Sequence, residues 1–344
     1  MEQNNITLRS LSGILKDKAS LAKASLFSKT RSYVHKKIIR ATTHDPASAP
    51  KEYRRTALLS LGLGSSYTAR TCIKALMDRL HKTRNASVAL KCLFAIHNIL
   101  SQGSVTLRDE LSVFPSHGGH NFLNLSGFRG GFNRETSKYS CWVRWYAEFL
   151  EQTLITARVL GYFLTPASLS STSQVLRKER EVKVRAYSSS DLSQEIDLLV
   201  SLVGVICSCP DSIHLQRNDL VYEIVSLVLE DYRVIRYEIR SRLSELEKRS
   251  LESLGISELA QVLSASNQFE GCKEKLFALF VNRANYDGLW ELITRMKPTL
   301  VHHITRTSKV QRMICWTPSD FRFPWHTNGN GFVRDYSAYA VTTT

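Results

Sequence analysis

The stretch Val88-Ala-Leu-Lys-Cys-Leu-Phe-Ala-Ile-His-Asn-Ile-Leu100 decides the fold class of this chain. Its side chains would be apolar on nearly every face of a helix, and Gly103 follows closely as a stop signal. A helix that is apolar all round has to be surrounded by other elements. The stretch therefore predicts a helix in the middle of a bundle, ending near Gly103.

Further apolar stripes at helical spacing lie on both sides of this stretch. The first is amphipathic, with lysines on its other faces. The stripes consist of Leu8, Leu11, Leu15, Ala19, Ala22 and Leu26; of Trp145, Tyr146, Phe149, Leu150 and Leu154; of Leu192, Ile196, Leu199, Val203 and Ile206; and of Val221, Ile224, Val228, Tyr232, Ile235, Ile239 and Leu243. Alternation with a period of two is scarcely found, so we predict an all-α protein.

The breaks between the stripes predict four regions. Residues 1–164 and 191–300 are helical, and a Ser-rich, charged linker over residues 165–190 separates them. Residues 301–344 form an irregular short tail. No repeat of fixed period is found, so a regular solenoid is disfavoured and an irregular helical stack stays open.

Positive charge is concentrated in the first quarter of the chain. The 344 residues include 46 Lys and Arg against 31 Asp and Glu, a formal net charge of +15. Residues 1–90 hold 17 of these cations against 5 anions, whereas residues 91–300 hold 24 of each. A basic face on a protein whose other charges cancel predicts a polyanionic partner, either a phosphorylated lipid or a nucleic acid. The remaining alternative is that the excess of positive charge only keeps the protein soluble and binds no partner.

Membrane spans and secretion are disfavoured. The longest apolar run, from Leu198 to Cys207, is about half of the roughly 20 residues that a membrane-spanning helix needs. The N-terminus opens with polar residues instead of the apolar core of a signal peptide. Seven cysteines without a secretory signal favour free thiols in a reducing compartment. We therefore expect a protein that is soluble or attached to a membrane only from outside.

Catalytic and metal-binding signatures are nearly absent. The motifs GxxxxGK[ST], HExxH and GxSxG do not occur, and Gly62-Leu-Gly64 lacks the third glycine and the preceding strand of a dinucleotide site. Cys207-x-Cys209 has no second pair, and His117 with His120 has no thiol or carboxylate companion. We therefore expect no enzyme, no cofactor and no metal.

The segment Lys36-Lys-Ile-Ile-Arg-Ala-Thr-Thr-His-Asp-Pro-Ala-Ser-Ala-Pro-Lys-Glu-Tyr-Arg-Arg55 predicts a cationic cluster. One helix should end near Thr43 and the next should begin just after Pro50. The short loop between them then brings together Arg40, His44, Lys51 and Arg54. Free N–H groups at a helix start add to these charges, which suits a phosphate-bearing headgroup. An ordinary solvated helix–loop–helix is the alternative.

Four segments, in the same order, resemble the ANTH domain, the membrane-binding module of the phosphatidylinositol-binding clathrin assembly proteins. They are Arg40–Asp45 (K-A-T-x-H in the family), Val88–His97 (V-A-L-K-x-L-x-x-I-H), Leu123–Arg129 (L-N-L-S-x-F-x-D) and Tyr139–Tyr146 (Y-S-x-W-V-R-x-Y). Weaker similarity continues to about residue 300, and the short tail resembles that of plant-type members. The resemblance implies an ANTH-type superhelix, an irregular stack of about nine to eleven helices.

The resemblance also implies a lipid site built from a basic residue at the end of one helix and a basic cluster at the start of the next. Carried over to this chain, Arg40 takes the place of the family lysine and His44 matches the family histidine. Lys51 matches the first basic residue of the cluster, and Arg54 falls where a His or Tyr is expected.

The chain departs from that pattern at Glu52 and Tyr53, which occupy usually basic or polar positions. A shift of one residue would instead put Tyr53 opposite the family histidine. Lys36, Lys37 and Arg55 could compensate for the missing cation, an inference from charge and not from the family motif.

In function, the resemblance implies a non-enzymatic adaptor on the cytoplasmic face of membranes. It would bind phosphoinositides, above all phosphatidylinositol 4,5-bisphosphate, in clathrin-dependent endocytosis or vesicle budding at coated pits and vesicles of the plasma membrane or Golgi. The implied partners are clathrin, adaptor proteins and a vesicle SNARE helix. Support for direct clathrin contact is weak, because residues 301–344 hold no D-P-F, N-P-F or D-L-L motif and the leucines of Asp197-Leu-Leu are expected in the core.

The alternative function is a basic helical nucleic-acid-binding protein. Its support is the same basic first quarter, with Tyr33, Tyr53 and Tyr67 nearby. These aromatic residues are few and do not interleave with the charges as a stacking platform would, so we expect no nucleic-acid partner.

Overall fold

The computed structural model describes residues 2–45, 48–113, 123, 125–130, 134–166, 174–210, 218–249, 254–280 and 288–314. Within these ranges the chain is all-α, with thirteen α-helices, one 3₁₀ turn and no strand, as the sequence predicted. The α-helices are α1 Glu2–Ser25, α2 Lys29–Ala41, α3 Glu52–Leu59, α4 Ser66–Lys82, α5 Ala86–Gln102, α6 Val105–Ser112, α7 Arg134–Leu160, α8 Gln174–Ala186, α9 Ser189–Cys207, α10 Asp219–Lys248, α11 Ile256–Gly271, α12 Lys273–Leu279 and α13 Leu289–Ile314; the 3₁₀ turn is Ser60–Leu63.

The described helices exceed the expected nine to eleven. Three of them, α3, α6 and α12, have only 8, 8 and 7 residues. Two turns of helix are too short to display a periodic apolar stripe, so such elements are read as loops in a sequence.

Two regions that were expected to be irregular contain helix. Helix α8 lies inside the expected linker at 165–190, and α13 continues past residue 300 to Ile314. Helix α8 is held on α10 by an ion pair between Arg180 and Glu238 at 3.1 Å and by a hydrogen bond from Tyr237 to Glu181 at 3.0 Å. Among the described residues of α8, Val184 is the one in the buried core, and polar contacts supply much of the remaining packing, so the apolar pattern hardly shows this helix. The division into four regions stays a prediction.

Helix α5 forms the centre of the first half, as predicted. Every residue from Ala86 to Leu100 is buried, and the helix stops at Gln102 with Gly103 as its cap. The Asn85 side chain accepts a hydrogen bond from the Val88 N–H at 3.1 Å and so caps the N-terminus. Helices α3, α4, α6, α7 and α10 pack around α5.

A buried polar contact joins this first half to the later helices. The ring of His97 in α5 lies between the Tyr146 hydroxyl of α7 and the Asp231 carboxylate of α10, each at 2.8 Å. From there the stack continues pairwise, with α9 on α7, α10 and α11, and α11 on α13. The chain is therefore an irregular stack of helices around one continuous core.

Candidate functional site

The segment between α2 and α3 has the boundaries that the sequence predicted. Helix α2 ends at Ala41, where the Thr42 N–H and hydroxyl both donate to the Ile38 carbonyl, at 2.9 and 2.7 Å. Helix α3 begins at Glu52, directly after Lys51 as its N-cap residue. The two helices pack on each other, so the cations at their facing ends come close.

Arg54 connects these two ends. Its Nη1 donates to the Arg40 carbonyl at 3.0 Å, and its Nε donates to the Tyr53 hydroxyl at 3.0 Å. Arg40, Lys51 and Tyr53 are exposed around it. We call Arg40, Lys51, Tyr53 and Arg54 the outer patch; Lys36 lies one turn before Arg40 on the same face of α2.

Two further cations near the outer patch already have partners. The Lys37 ammonium donates to the Ser60 hydroxyl at 3.2 Å and lies 4.4 Å from the centre of the Tyr33 ring. Arg55 forms an ion pair with Glu52 within α3. Of the compensating cations suggested by the sequence, Lys36 is thus the one least engaged by its neighbours in the described part of the chain.

His44 points to a different surface. Its backbone N–H donates to one oxygen of the Asp17 carboxylate at 3.0 Å, and its ring Nδ1 lies 2.6 Å from the other oxygen. His44 lines a cleft of about 1170 Å³ between α1, α2, α4 and the turn into α5, which we call the inner cleft. The other six predicted site residues, all of them described, do not line it.

The inner cleft is predominantly basic. Five cations line it: Lys16, Lys23, Arg79, Lys82 and Arg84. Asp78 is the one acidic residue among the described residues that line the cleft. Arg79 is partly neutralised, because its Nη2 lies 3.6 Å from the Asp17 carboxylate. The cleft can therefore attract an anion alongside the outer patch.

Sequence reasoning assigned no role to Lys91, although it lies in one of the quoted motifs. Its side chain is only 1% exposed, and its ammonium donates to the Asp45 carbonyl at 2.7 Å and to the Thr43 hydroxyl at 3.1 Å. Burial lowers the pKa of Lys91 to about 8, even though Asp45 and Asp17 favour its charged form. The signal was available, because a lysine within an apolar helix must find buried partners.

Cations from three helices hold the backbone of the site. Arg54 of α3 binds the Arg40 carbonyl, Arg79 of α4 binds the Thr42 carbonyl at 2.6 Å, and Lys91 of α5 binds the Asp45 carbonyl. The Arg40 and Thr42 carbonyls lie at the end of α2, where carbonyls have no partner within the helix, and the Asp45 carbonyl lies in the loop that follows. The three donors satisfy groups that would otherwise need water. These contacts attach the segment from Arg40 to Asp45 to α3, α4 and α5.

Other chemistry finds little support in the described ranges. No three His, Cys, Asp or Glu side chains there are grouped so that they could hold a metal ion. His117 and His120 lie outside the described residues. Cys209 is buried and Cys207 packs against the Cys272 backbone, so both cysteines fill space between helices.

The leucines of the D-L-L sequence are part of the packing, as expected. Leu199 is fully buried and Leu198 is half-buried in α9. In addition, none of the described helices combines the length and the apolar character needed to cross a membrane.

Comparison with known proteins gives a family match. A family model described as "ANTH domain" matches residues 33–289. Three proteins of Arabidopsis thaliana, each named "putative clathrin assembly protein", are similar over most of the chain. The first is 40% identical over 296 residues, covering 83% of this chain and 79% of the relative. The second is 31% identical over 297 residues, covering 83% of each, and the third is 30% identical over 304 residues, covering 84% of this chain and 98% of the relative.

Proposed function

This chain belongs to the ANTH-domain family, and on that premise we propose that it is a peripheral membrane adaptor whose outer patch binds phosphoinositide headgroups. The observation that carries this proposal is the contact of Arg54 with the Arg40 carbonyl, because it joins the cations of two helix ends into one surface. Such a surface suits a headgroup with several phosphates better than a single phosphate. We take phosphatidylinositol 4,5-bisphosphate as the preferred headgroup.

Electrostatic attraction gives the proposed binding its strength. Each Lys or Arg close to an anionic leaflet contributes about 1 kcal/mol. Lys36, Arg40, Lys51 and Arg54 together then provide an attachment that is useful and still reversible. The cations of the inner cleft extend the same positive potential, and His44 lies on that side.

Helix α1 supports a second, apolar contact with the membrane. Leu11, Ile14 and Leu15 are 52%, 47% and 66% exposed, so the first part of its apolar stripe is not packed into the core. Lys16 and Lys18 lie beside these residues and are also exposed. Exposed leucines flanked by lysines are typical of helices that lie in the surface of a bilayer.

The names of the relatives extend the proposal to clathrin coats. We place the chain on the cytoplasmic face of coated pits and vesicles, at the plasma membrane or the Golgi, as an adaptor and not an enzyme. Clathrin and adaptor proteins are the proposed coat partners. A vesicle SNARE helix packed on the later helices is the proposed cargo, in the helix-in-groove manner.

A flotation assay tests the central claim. The assay compares recruitment of the whole chain to three kinds of vesicle. These contain neutral lipid alone, neutral lipid with phosphatidylserine, or neutral lipid with one phosphoinositide at a time, and the two charged kinds are matched in total charge. We expect the strongest recruitment by phosphatidylinositol 4,5-bisphosphate and a decrease with added salt. Equal recruitment by all charge-matched vesicles would reject headgroup recognition. Tighter binding to duplex or single-stranded nucleic acid at the same salt would favour the alternative function.

A further inference from the structure

Lys91 is the buried charge at the centre of the candidate site. It is 1% exposed, and its neighbours along α5 include the fully buried Leu90, Cys92 and Leu93. A buried ammonium is costly unless hydrogen-bond acceptors replace its water shell. Here the acceptors are the Asp45 carbonyl and the Thr43 hydroxyl, the two groups that flank His44 in the chain.

Charged groups from the segment, from α1 and from α3 act on this ammonium. Asp45 of the segment and Asp17 of α1 favour its charged form, whereas Arg54 of α3 opposes it. Arg79 of α4 holds the same segment at Thr42. His44 lies between Thr43 and Asp45 and is itself bound to Asp17. Lys91 is thus connected to both the outer patch and the inner cleft through a segment of only a few residues.

We propose that Lys91 is a positioning residue for headgroup binding, which holds the Thr43–Asp45 segment in place and supplies a positive charge behind it. The inference rests on the proposed function for its ligand. Lys91 does not reach the surface, so it acts through the segment and through its charge rather than by touching the headgroup.

This role makes recruitment sensitive to alkaline pH. The pKa of Lys91 lies at about 8, so its ammonium loses its proton as the pH rises through that value. A bound anion favours the charged form, and by linkage the anion binds more weakly once that charge is lost. The neutral amine also donates weaker hydrogen bonds to the segment than the ammonium does.

Unfolding does not account for such a loss. A lysine whose pKa is lowered on folding costs stability while it is charged, and the cost declines as the pH rises from about 8 towards the ordinary 10.5. Lys91 alone therefore makes the folded chain more stable over this range, while recruitment decreases. The opposite directions of the two changes separate a positioning role from a purely structural one.

The first experiment is a pH profile of flotation, from pH 7 to pH 9 at constant salt, on vesicles containing phosphatidylinositol 4,5-bisphosphate. We expect recruitment of the natural chain to decrease about fivefold, the factor for one cation near an anionic surface. Lys91→Arg should remove most of the decrease, because arginine stays charged. Lys91→Met should bind weakly already at pH 7, with a flat profile. Lys178→Met, which removes an exposed lysine from α8, should behave like the natural chain and serves as the control.

The second experiment needs no lipid. Hydrogen exchange of the His44 N–H, which donates to Asp17, reports whether the segment is held. We expect exchange at least several-fold faster in Lys91→Met than in the natural chain and in Lys178→Met, with thermal unfolding confirming that each variant is folded.

The outcomes separate the two proposals. If the natural chain does not bind phosphoinositide vesicles, the proposed function is wrong. The exchange experiment then still decides whether Lys91 holds the segment. If Lys91→Met is folded and shows the pH profile and the exchange of the natural chain, the positioning role is wrong. If Lys91→Arg does not fold, the natural chain and Lys91→Met decide the question. Recruitment of the natural chain that does not change from pH 7 to pH 9 would overturn the role of the charge.

Discussion

The Asp17 carboxylate of α1 holds His44 at two points, the backbone N–H at 3.0 Å and the ring Nδ1 at 2.6 Å. Since Arg79 lies 3.6 Å from the same carboxylate, Asp17 also connects the segment to α4. Helix α1 is therefore joined to the site by specific polar contacts and not by apolar packing alone. His44 lines the inner cleft, so Asp17 fixes one wall of that cleft.

Charge reversal in the outer patch should abolish recruitment to phosphoinositide vesicles. Arg40→Glu with Lys51→Glu changes the local charge by four units, which corresponds to about 4 kcal/mol at about 1 kcal/mol per charge. Both side chains are exposed, so the fold should persist. Flotation measures the effect, and Lys178→Glu with Lys183→Glu on α8 is the matched control. Normal flotation of the folded outer-patch variant would exclude this surface.

Loss of the Asp17 carboxylate should destabilise the segment. Asp17→Asn removes the negative charge that His44 and Arg79 share and replaces one of the two acceptor oxygens with an NH2 donor, at a cost of about 1–2 kcal/mol for partly buried groups. Urea unfolding measures this cost, and flotation should weaken along with it. Asp78→Asn removes the acid that lines the inner cleft and should leave stability within about 0.5 kcal/mol. Equal stability of the two variants would contradict the role of Asp17.

Polar substitution on α1 should weaken membrane attachment without affecting the fold. Leu11→Gln with Leu15→Gln replaces two largely exposed leucines, so the free energy of unfolding should change by less than about 1 kcal/mol. Recruitment should decrease about tenfold or more if both side chains enter the bilayer, because a buried leucine contributes about 1.5–3 kcal/mol. Val175→Gln with Val182→Gln on α8, where both valines are also exposed, is the control. Unchanged recruitment would show that α1 stays in water.

The buried histidine should matter for stability and not for lipid binding. His97→Leu leaves the Tyr146 hydroxyl and the Asp231 carboxylate without their partner in the core. Each unpaired buried group costs about 1–3 kcal/mol, so urea unfolding should show a loss of at least about 2 kcal/mol. A loss below about 0.5 kcal/mol would mean that water or a rearranged side chain replaces the ring. Flotation of the folded fraction should match that of the natural chain.

Recognition of the outer patch from sequence depended on two adjacent helix ends. Arg40, Lys51 and Arg54 could be placed together because a short loop constrains its two ends, and the structure shows Arg54 in contact with the end of α2. His44 was assigned to the same cluster, yet its side chain faces Asp17 and the inner cleft. The direction of a loop side chain depends on distant partners, so local spacing does not reveal it. Lipid binding by these residues stays a prediction.

Helical class, the buried position of α5 and family membership follow from the order of residues, because apolar periodicity and motif spacing are properties of neighbouring positions in one chain. Only the tertiary structure shows the short helices, the attachment of α8 to α10 and the hydrogen-bond partners of the site residues. Asp17 meets His44 across 27 positions, and Lys91 meets Thr43 across 48. Hydrogen bonds and buried charges act over a few ångströms in space, and only the packing of α1, α4 and α5 around one segment brings these groups within that range.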